Sequence, residues 1–418
     1  MVAQVALAVL LFHALWLVAF LGTGHNIRGL INVGPHFILG GKTSSVIDHD
    51  PSYRAVAPLT RKNADEAGYD GQFSFYIALD PTRARSYIDG PSYRYERILY
   101  PMLARFTALE QPAAMPWTLL IINWLACGGG VLALAAWLRR KGASPWLAAI
   151  YGLYPGMLVA IQCDLTEPLA YGLVALGVYL FDFGGRRGVI ASAVAFALAA
   201  LTRETTLLFP ILYGVSILGA RPGANPHREL ATRIRHALGF LAVSCLPFTL
   251  WLILDYSWLG VPHTEPLSPV PLSGLFSPGL SLPLRSLEFV CVALPALLFS
   301  AVALPALRRR DGRLERLCLL ANTAMMVVFS AGVVWAGYAS ISRQGIAVVL
   351  AALLCLPYVR APAIGRAGAR QRRSRLVLTA AFALWIVMLP VALYGGFHRG
   401  LTSPPETIAA GRTVAADG

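Results

Sequence analysis

The sequence predicts an all-α fold: a polytopic membrane helix bundle of about 11 spans, with a long first extracytoplasmic loop that bears interfacial helices. Hydrophobic residues make up 56% of the 418 residues and charged residues 13%, whereas an ordinary soluble domain is about 25% charged. Apolar runs of about 17 residues or more recur along the chain, which is the length that crosses a bilayer. Basic residues are concentrated in alternate connections between these runs.

The first apolar run, residues 2–21, lacks a basic amino-terminal region and a small-residue cleavage site. It therefore predicts a retained transmembrane helix and not a cleaved signal peptide. A long polar loop, residues 22–116, follows. The other predicted spans are 117–138, 145–161, 168–182, 189–203, 204–219, 238–256, 286–306, 317–337, 344–359 and 376–394. The chain thus divides into residues 1–21, 22–116, 117–219 (spans 2 to 6), 220–394 (spans 7 to 11) and a polar tail, 395–418.

The basic residues predict the orientation. The five connections after the even-numbered spans, such as Arg139-Arg140-Lys141, hold 20 of the 35 Lys and Arg residues. Positive charge marks the cytoplasmic side, so we expect the N-terminus inside and the long loop and the C-terminus outside. The net charge of +14 then reflects short loops that face anionic lipid headgroups, which makes membrane lipids the expected partner and excludes nucleic acid.

Composition gives little sign of a metal centre. None of the six cysteines forms a CxxC pair, and nearly all fall within apolar runs, so neither a zinc site nor a disulfide framework is expected. The histidines are too scattered to resemble a metal site.

The long loop is longer than a structureless connection should be, so we expect it to have its own structure. Residues 73–79 are apolar and aromatic, and residues 93–109 place apolar side chains at helical spacing. These patterns predict helices along the membrane face, with a break near Pro101.

Asp70, in Gly68-Tyr69-Asp70-Gly71, is the first candidate for a general base. The flanking glycines suit a turn that a substrate can approach closely, and a carboxylate there could take a proton from an attacking hydroxyl. The alternative is an ordinary Asp-Gly surface turn.

Other ionisable residues outside the basic loops collect on the predicted outer face, while the predicted spans are nearly free of charge at their centres. Asp164 and Glu167 could provide a second acid, a metal ligand or a contact to an acceptor hydroxyl. They could equally be helix-capping residues beside Pro168.

Several arginines could hold a phosphate. Arg203, steadied by Glu204, has the geometry for a phosphate clamp, and the alternative is a self-neutralising pair at a helix junction. Arg94, Arg97 and Arg343 are further candidates, for which headgroup snorkelling is the alternative. Tyrosines 93, 95 and 100 could stack on a sugar or belong to an interfacial aromatic belt.

These motifs resemble a known class. Gly68-Tyr69-Asp70-Gly71-Gln72-Phe73, Tyr93-Arg94-Tyr95-x-Arg97, Asp164-Leu165-Thr166-Glu167-Pro168 and Leu201-Thr202-Arg203-Glu204-Thr205 resemble bacterial GT-C glycosyltransferases related to mannosyltransferases of the PIG-M and PIG-V type. The resemblance covers the chain to about residue 210.

The resemblance implies an enzyme of the bacterial cytoplasmic membrane that transfers a sugar from a polyprenyl-phosphate donor to a glycan or lipid acceptor, with inversion. The carboxylate matching Asp70 is then the base, with Tyr69 and Gln72 beside it in the substrate site. The arginines hold the departing lipid phosphate. Some members need a divalent metal, and this sequence leaves the cofactor open.

Two other functions fit a bundle of this size. A transporter or lipid-linked-sugar flippase is the main alternative, although transporters usually keep ionisable residues near the membrane midplane. A non-catalytic envelope-assembly subunit, with a purely structural Asp70, is the second.

Overall fold

The computed structural model describes residues 1–33, 68–86, 88–219, 226–261, 270–276, 280–328, 332–335, 337–360 and 368–399. In this part the regular structure is helical, apart from one isolated antiparallel bridge between Val33 and Gly68. The α-helices, numbered in chain order, are α1 Val2–Gly22, α2 Gly71–Leu79, α3 Pro91–Tyr95, α4 Leu99–Thr107, α5 Met115–Arg140, α6 Ala148–Gly152, α7 Pro155–Gln162, α8 Glu167–Phe183, α9 Gly185–Thr202, α10 Leu208–Leu218, α11 Pro226–Leu259, α12 Leu282–Glu288, α13 Leu294–Ala303, α14 Arg313–Val328, α15 Tyr338–Arg360, α16 Gly368–Ile386 and α17 Leu389–Arg399.

The all-α, multi-pass architecture is confirmed, but the number of spans is wrong. Within the described residues, seven helical segments are long and apolar enough to cross a membrane, and not eleven. They are Val2–Gly22, Met115–Arg140, Gly185–Thr202, Leu230–Leu259, Leu282–Ala306, Tyr338–Val359 and Leu376–Phe397.

The other four predicted spans form shorter helices. The run at 145–161 is divided: α6 ends at Gly152 and α7 begins at Pro155, whose fixed φ and missing N–H favour a helix start. Helix α8 has 17 residues, the run at 204–219 gives a 3-10 turn followed by the 11-residue α10, and α14 ends at Val328. Every residue of α7 is buried. An apolar run alone does not distinguish a span from a helix enclosed by other helices.

The helices of the long loop differ from expectation in two ways. Helix α2 is buried at every residue except Ser74 and packs against α4 and α5, so it is a core helix and not a surface one. The segment from Tyr93 to Leu109 is broken between α3 and α4, before Ile98. Pro101 lies inside the first turn of α4, where its missing N–H removes no helical hydrogen bond.

Two close backbone approaches bring distant segments together. A Cβ on Gly71 would overlap the carbonyl oxygen of Cys163, in the turn between α7 and α8. A Cβ on Gly156 in α7 would overlap the carbonyl oxygen of Ser342 in α15. Small residues permit such contacts between membrane helices. Because Asp70 precedes Gly71, the first contact places Asp70 beside the α7–α8 turn, and the second packs α15 next to Arg343 against the start of α7.

The ends of α8 carry different chemistry. Its first residue is Glu167, while Asp182 near its last turn pairs with Lys141 at 2.9 Å and accepts a hydrogen bond from Trp137 at 2.8 Å. A 17-residue helix is about 25 Å long. Glu167 and the basic connection after α5 therefore lie at opposite ends of α8.

Candidate active site

Six charged side chains from separate parts of the chain line one cleft. They are Asp70 at the start of α2, Arg94 in α3, Arg97 after it, Glu167 at the start of α8, Arg203 after α9 and Arg343 in α15, together with the uncharged lining residues Phe73, Ser74, Leu165 and Thr166. The sequence motifs are far apart along the chain, and the fold places them at one site.

Asp70 is the residue immediately before α2, and its carboxylate does not cap that helix. Its Oδ1 accepts a hydrogen bond from Arg94 Nη1 at 3.1 Å, and its Oδ2 accepts two from Arg343, each at 3.2 Å. Burial by itself raises the pKa of the Asp70 carboxyl, but the nearby arginines, Arg343 first, outweigh burial and hold the pKa well below its usual value. Asp70 is therefore an ionised carboxylate inside an arginine cluster and not a simple surface turn.

Arg343 was expected in a turn before a span that begins at residue 344. It lies within α15, which begins at Tyr338, and its side chain is 11% exposed. Its position in α15 fixes the backbone from which the Arg343 side chain reaches the cleft.

Glu167 is completely buried at the first position of α8. Its Oε1 lies 3.1 Å from Arg203 Nη1 and 3.6 Å from Arg343 Nη1, yet neither contact has the alignment of a hydrogen bond. The residue before it, Thr166, makes no side-chain capping bond. Glu167 therefore lies in the first turn of α8 beside Pro168, as the capping interpretation predicts, but it makes no capping hydrogen bond and attracts two guanidinium groups.

Arg203 and Glu204 do not form the expected pair with each other. Arg203 pairs with Glu167, whereas Glu204 accepts hydrogen bonds from Arg97 Nε at 3.1 Å and Nη2 at 3.0 Å. Burial alone raises the pKa of Glu204, but the charges of Arg97 and Arg203 reverse this and lower it. The adjacent residues point to different partners, so they join two ion pairs instead of neutralising each other.

Aromatic rings support the arginines. Arg94 lies over Phe73 at 4.0 Å from the ring centre, Arg97 over Tyr93 at 4.6 Å, and Arg343 over Tyr69 at 5.0 Å. Such contacts orient a guanidinium group and leave its edge free to donate hydrogen bonds. Tyr69 and Tyr93 thus act on the arginines from outside the cleft lining.

Three predicted contact residues lie in the protein core. Tyr95 and Tyr100 are buried, and their hydroxyls donate to the carbonyls of Pro81 and Leu119 at 2.7 and 3.0 Å. Gln72 is buried in α2 and accepts a hydrogen bond from the hydroxyl of Tyr76 at 3.3 Å. Gln72, Tyr95 and Tyr100 do not line the cleft. The prediction that Tyr95 and Tyr100 stack on a sugar is therefore wrong.

Asp164 lies in the α7–α8 turn, outside the cleft lining. It has a left-handed backbone, with φ of 48°, and neither carboxylate oxygen has a hydrogen-bond partner. Complete burial raises the pKa of its carboxyl well above the usual range. Asp164 is therefore a buried carboxyl outside the cleft, and its side chain caps no helix.

Sequence reasoning missed one arginine partner and four lining residues, which are Phe73, Ser74, Leu165 and Thr166. Phe73 and Ser74 line the cleft, and a signal was available because they lie three and four positions after Asp70, on one side of a helix. Asp89 accepts hydrogen bonds from Arg94 Nε at 2.8 Å and from Arg94 Nη2 at 3.1 Å. No local motif marked this contact, because it depends on how α3 turns against the segment before it.

The cleft is small and its charges are nearly balanced. Its enclosed volume is about 20 Å³. That space holds about one water molecule. The lining has four arginines and two carboxylates, and Asp89 and Glu204 neutralise Arg94 and Arg97 from behind. An anion that enters must therefore compete with carboxylates for the guanidinium groups.

Among the described residues, no group of three or more His, Cys, Asp and Glu side chains is arranged to hold a metal ion. The clustered cations of the cleft instead suit an anionic ligand, since guanidinium groups match phosphate and carboxylate oxygens in geometry and charge. Comparison of the chain with protein-family models, with curated proteins and with solved structures finds no match.

Proposed function

We propose that this protein is a membrane glycosyltransferase of the GT-C type, which transfers a sugar from a polyprenyl-phosphate donor to a cell-envelope glycan or lipid acceptor. The observation that carries the proposal is the cleft in which Asp70 lies among Arg94, Arg97, Arg203 and Arg343. A base and a set of phosphate-binding cations are the two components that this reaction needs.

The chemistry follows from these groups. The acceptor hydroxyl attacks the anomeric carbon of the donor, and Asp70 takes the hydroxyl proton as the new carbon–oxygen bond forms. The bond from the anomeric carbon to the phosphate oxygen breaks, and the phosphate leaves with the electron pair. Arginine side chains stabilise the charge that develops on it. Attack opposite to the leaving group inverts the anomeric centre.

Two features support a donor carried by a lipid. The cleft is built at the end of the membrane-length helix α9, which Arg203 follows, and at the start of the shorter helix α8, whose first residue is Glu167. A groove of about 480 Å³, lined almost wholly by apolar side chains, runs between α5 and α8 from Leu169 to Tyr179. An isoprenoid chain would bury apolar surface there while its phosphate lies near the helix ends.

The base assignment is tested with Asp70→Asn. We expect the variant to reach the membrane folded and to lose at least about 100-fold in transfer from a polyprenyl-phosphate sugar, the lower range for loss of a general base. Asp80→Asn, in the same segment but outside the cleft lining, should retain activity. Wild-type turnover by purified Asp70→Asn protein would refute the assignment and favour a structural role.

The phosphate site is tested with Arg203→Ala. Because Arg203 lines the cleft and is buried, its removal should weaken binding of a polyprenyl-phosphate sugar by about tenfold or more, as expected for a lost charge-assisted hydrogen bond. Arg83→Ala, on an exposed residue, is the matched control. An unchanged affinity in Arg203→Ala would exclude this residue from the donor site.

Analysis of lipid-linked sugars from a strain lacking the protein identifies the donor. Mass spectrometry should show accumulation of one polyprenyl-phosphate sugar and loss of one envelope glycan. An unchanged glycan profile together with altered solute uptake would instead support transport.

The transporter alternative gains support from one observation. The spans are not free of ionisable groups: Asp255 and Glu288 are buried within membrane-length segments, and their carboxylate oxygens have no hydrogen-bond partner. Buried carboxyls in spans commonly mark ion or proton pathways. A transporter predicts that Asp255→Asn and Glu288→Gln abolish uptake into proteoliposomes, whereas the glycosyltransferase predicts no uptake and sensitivity at Asp70.

A further inference from the structure

Each arginine that holds Asp70 also contacts a second carboxylate. Arg94 donates to Asp70 from Nη1 while its Nε and Nη2 donate to Asp89. Arg343 holds Asp70 Oδ2, and its Nη1 lies 3.6 Å from Oε1 of Glu167. Either guanidinium can therefore move away from Asp70 and still have a carboxylate beside it.

In the arrangement seen here, Asp70 is a poor base. One carboxylate oxygen is engaged by Arg94 and the other by Arg343, and two adjacent cations strongly disfavour protonation. The cleft also has room for about one water molecule, and a phosphate group is several times larger. A phosphate can enter only if the contacts between Asp70 and the two arginines open.

We propose that a phosphate group entering the cleft draws Arg94 and Arg343 away from Asp70, that Asp89 and Glu167 hold the displaced arginines, and that Asp70 becomes a proton acceptor only then. The proposal rests on the proposed function and deepens it, because it ties activation of the base to occupation of the donor site. Asp89 and Glu167 are positioning residues in this scheme: they act on Asp70 through the arginines.

The exchange is feasible because neither guanidinium is left without an anionic partner, and because Asp70, whose side chain is 34% exposed, can be solvated when the arginines move. Removing one partner from a buried ion pair strongly destabilises a protein, whereas exchanging partners does not. Glu167 is suited to receiving a guanidinium, since its contacts are near enough for attraction but not aligned as hydrogen bonds. Asp89, with a side chain that is 52% exposed, can follow Arg94 as it moves.

The exchange also orders the events at the site. With the site empty, Asp70 cannot activate a water molecule or an acceptor hydroxyl. With phosphate bound, the proton from the acceptor passes to Asp70 while the sugar–phosphate bond breaks and the arginines retain the phosphate. Asp70 therefore acts as a base only when a donor is present.

The test measures the protonation of Asp70 directly. The full-length protein in lipid nanodiscs is titrated by infrared difference spectroscopy with and without inorganic phosphate, and the carboxyl band of Asp70 is assigned by its absence in Asp70→Asn. The charged and titratable groups around Asp70 are Tyr69, Arg94, Arg97, Glu167, Arg203 and Arg343. Assignment by substitution separates Asp70 from Glu167, the other carboxyl of the lining.

Phosphate should raise the titration midpoint of Asp70 by about 1–3 pH units, the range for loss of one neighbouring cation. Asp89→Asn and Glu167→Gln should each reduce this rise by half or more, while Glu110→Gln, on an exposed carboxylate paired with Arg105, leaves it intact. Because the Asp89 side chain is exposed, Asp89→Asn should fold normally. It therefore tests the proposal even if Glu167→Gln does not fold.

Three results would overturn the proposal: an unchanged midpoint while phosphorus magnetic resonance shows phosphate bound, no binding of phosphate at all, or a full rise in both variants. Failure of the proposed function is a separate outcome. A rise in midpoint without any sugar transfer would retain the anion-triggered exchange and reject the glycosyltransferase. If Asp70→Asn loses sugar transfer but phosphate does not raise the titration midpoint of Asp70 in the wild type, the glycosyltransferase is retained and the anion-triggered exchange is rejected.

Discussion

Arg97 and Glu204 show how single residues at this site depend on one another. They are separated by 107 positions and joined by two hydrogen bonds, with Arg97 also donating to the hydroxyl of Tyr93 at 2.7 Å. Their side chains are 10% and 28% exposed, so neither charge is well solvated alone. Asp70 is likewise held by hydrogen bonds from arginines, whereas Glu167 lies near two guanidinium groups without a hydrogen bond.

Arg97→Ala should destabilise the protein by about 2 kcal/mol. The figure is below the roughly 3–5 kcal/mol of a fully buried pair, because Glu204 retains some contact with solvent. Thermal unfolding in detergent measures the loss, and Arg83→Ala serves as the control. If the double variant Arg97→Met with Glu204→Met is no more stable than Arg97→Ala, the unpaired carboxylate is not the cause.

The pKa of Glu204 predicts a pH dependence. Because the folded-state pKa is lowered from 4.5 to about 2, the ionised carboxylate stabilises the fold above about pH 4.5, and this contribution is lost as the pH falls toward 2. The difference in melting temperature between wild type and Glu204→Gln should therefore narrow between pH 6 and pH 3. A difference that widens on acidification would contradict the pairing.

At the scale of elements, the site is positioned by helix starts and by glycine contacts. Helix α2 begins directly after Asp70, α8 begins at Glu167, and the backbone of α2 touches the turn before α8 through Gly71. The sequence suggested that this glycine served an open turn. The structure shows that it permits a close approach between two segments about 90 positions apart.

Gly71→Ala tests that approach. The added methyl group would overlap the carbonyl of Cys163 and push α2 away from the α7–α8 turn, so we expect a cost of about 2 kcal/mol or more, as for overpacking in a core. Gly129→Ala is the matched control, because nothing lies within 4 Å of a Cβ at that position. Equal thermal stability of the two variants would show that the contact can relax.

At the scale of the whole molecule, the distribution of charge bears on the side of the membrane on which the cleft opens. Seven membrane-length segments make a multi-pass protein, and α8 separates the cleft from the Lys141–Asp182 pair. Arg139 and Arg140 lie beside that pair in the last turn of α5, and because positive charge marks the cytoplasmic side, we predict that the cleft at the other end of α8 faces outward.

Cysteine labelling tests this topology. Of the six native cysteines, five are buried and Cys245 is partly exposed, so Cys245→Ser gives a suitable background. A cysteine at Ser74, in the cleft, should react with a membrane-impermeant reagent from the outside, and a cysteine at Ser374, in the basic α16, should react only from the inside. Labelling of both from one side would reject the predicted orientation and the outward-facing cleft.

The sequence by itself determined the class of this protein and most of its site residues. Long apolar runs require helices in a membrane, because a backbone in lipid must satisfy its own hydrogen bonds. Carboxylates and arginines in short polar segments between such runs were recognisable as candidates, and Asp70, Arg94, Arg97, Glu167, Arg203 and Arg343 do line one cleft.

Only the tertiary structure decided how many runs are membrane-length helices and which charge meets which. Hydropathy cannot separate a span from an enclosed helix such as α7, because both exclude water. Partner choice is equally non-local: Arg203 and Glu204 are neighbours in the chain, yet the backbone aims one at Glu167 and the other at Arg97. The same packing placed Arg94 and Arg343 on Asp70, since side-chain direction depends on where each helix begins and against what it packs.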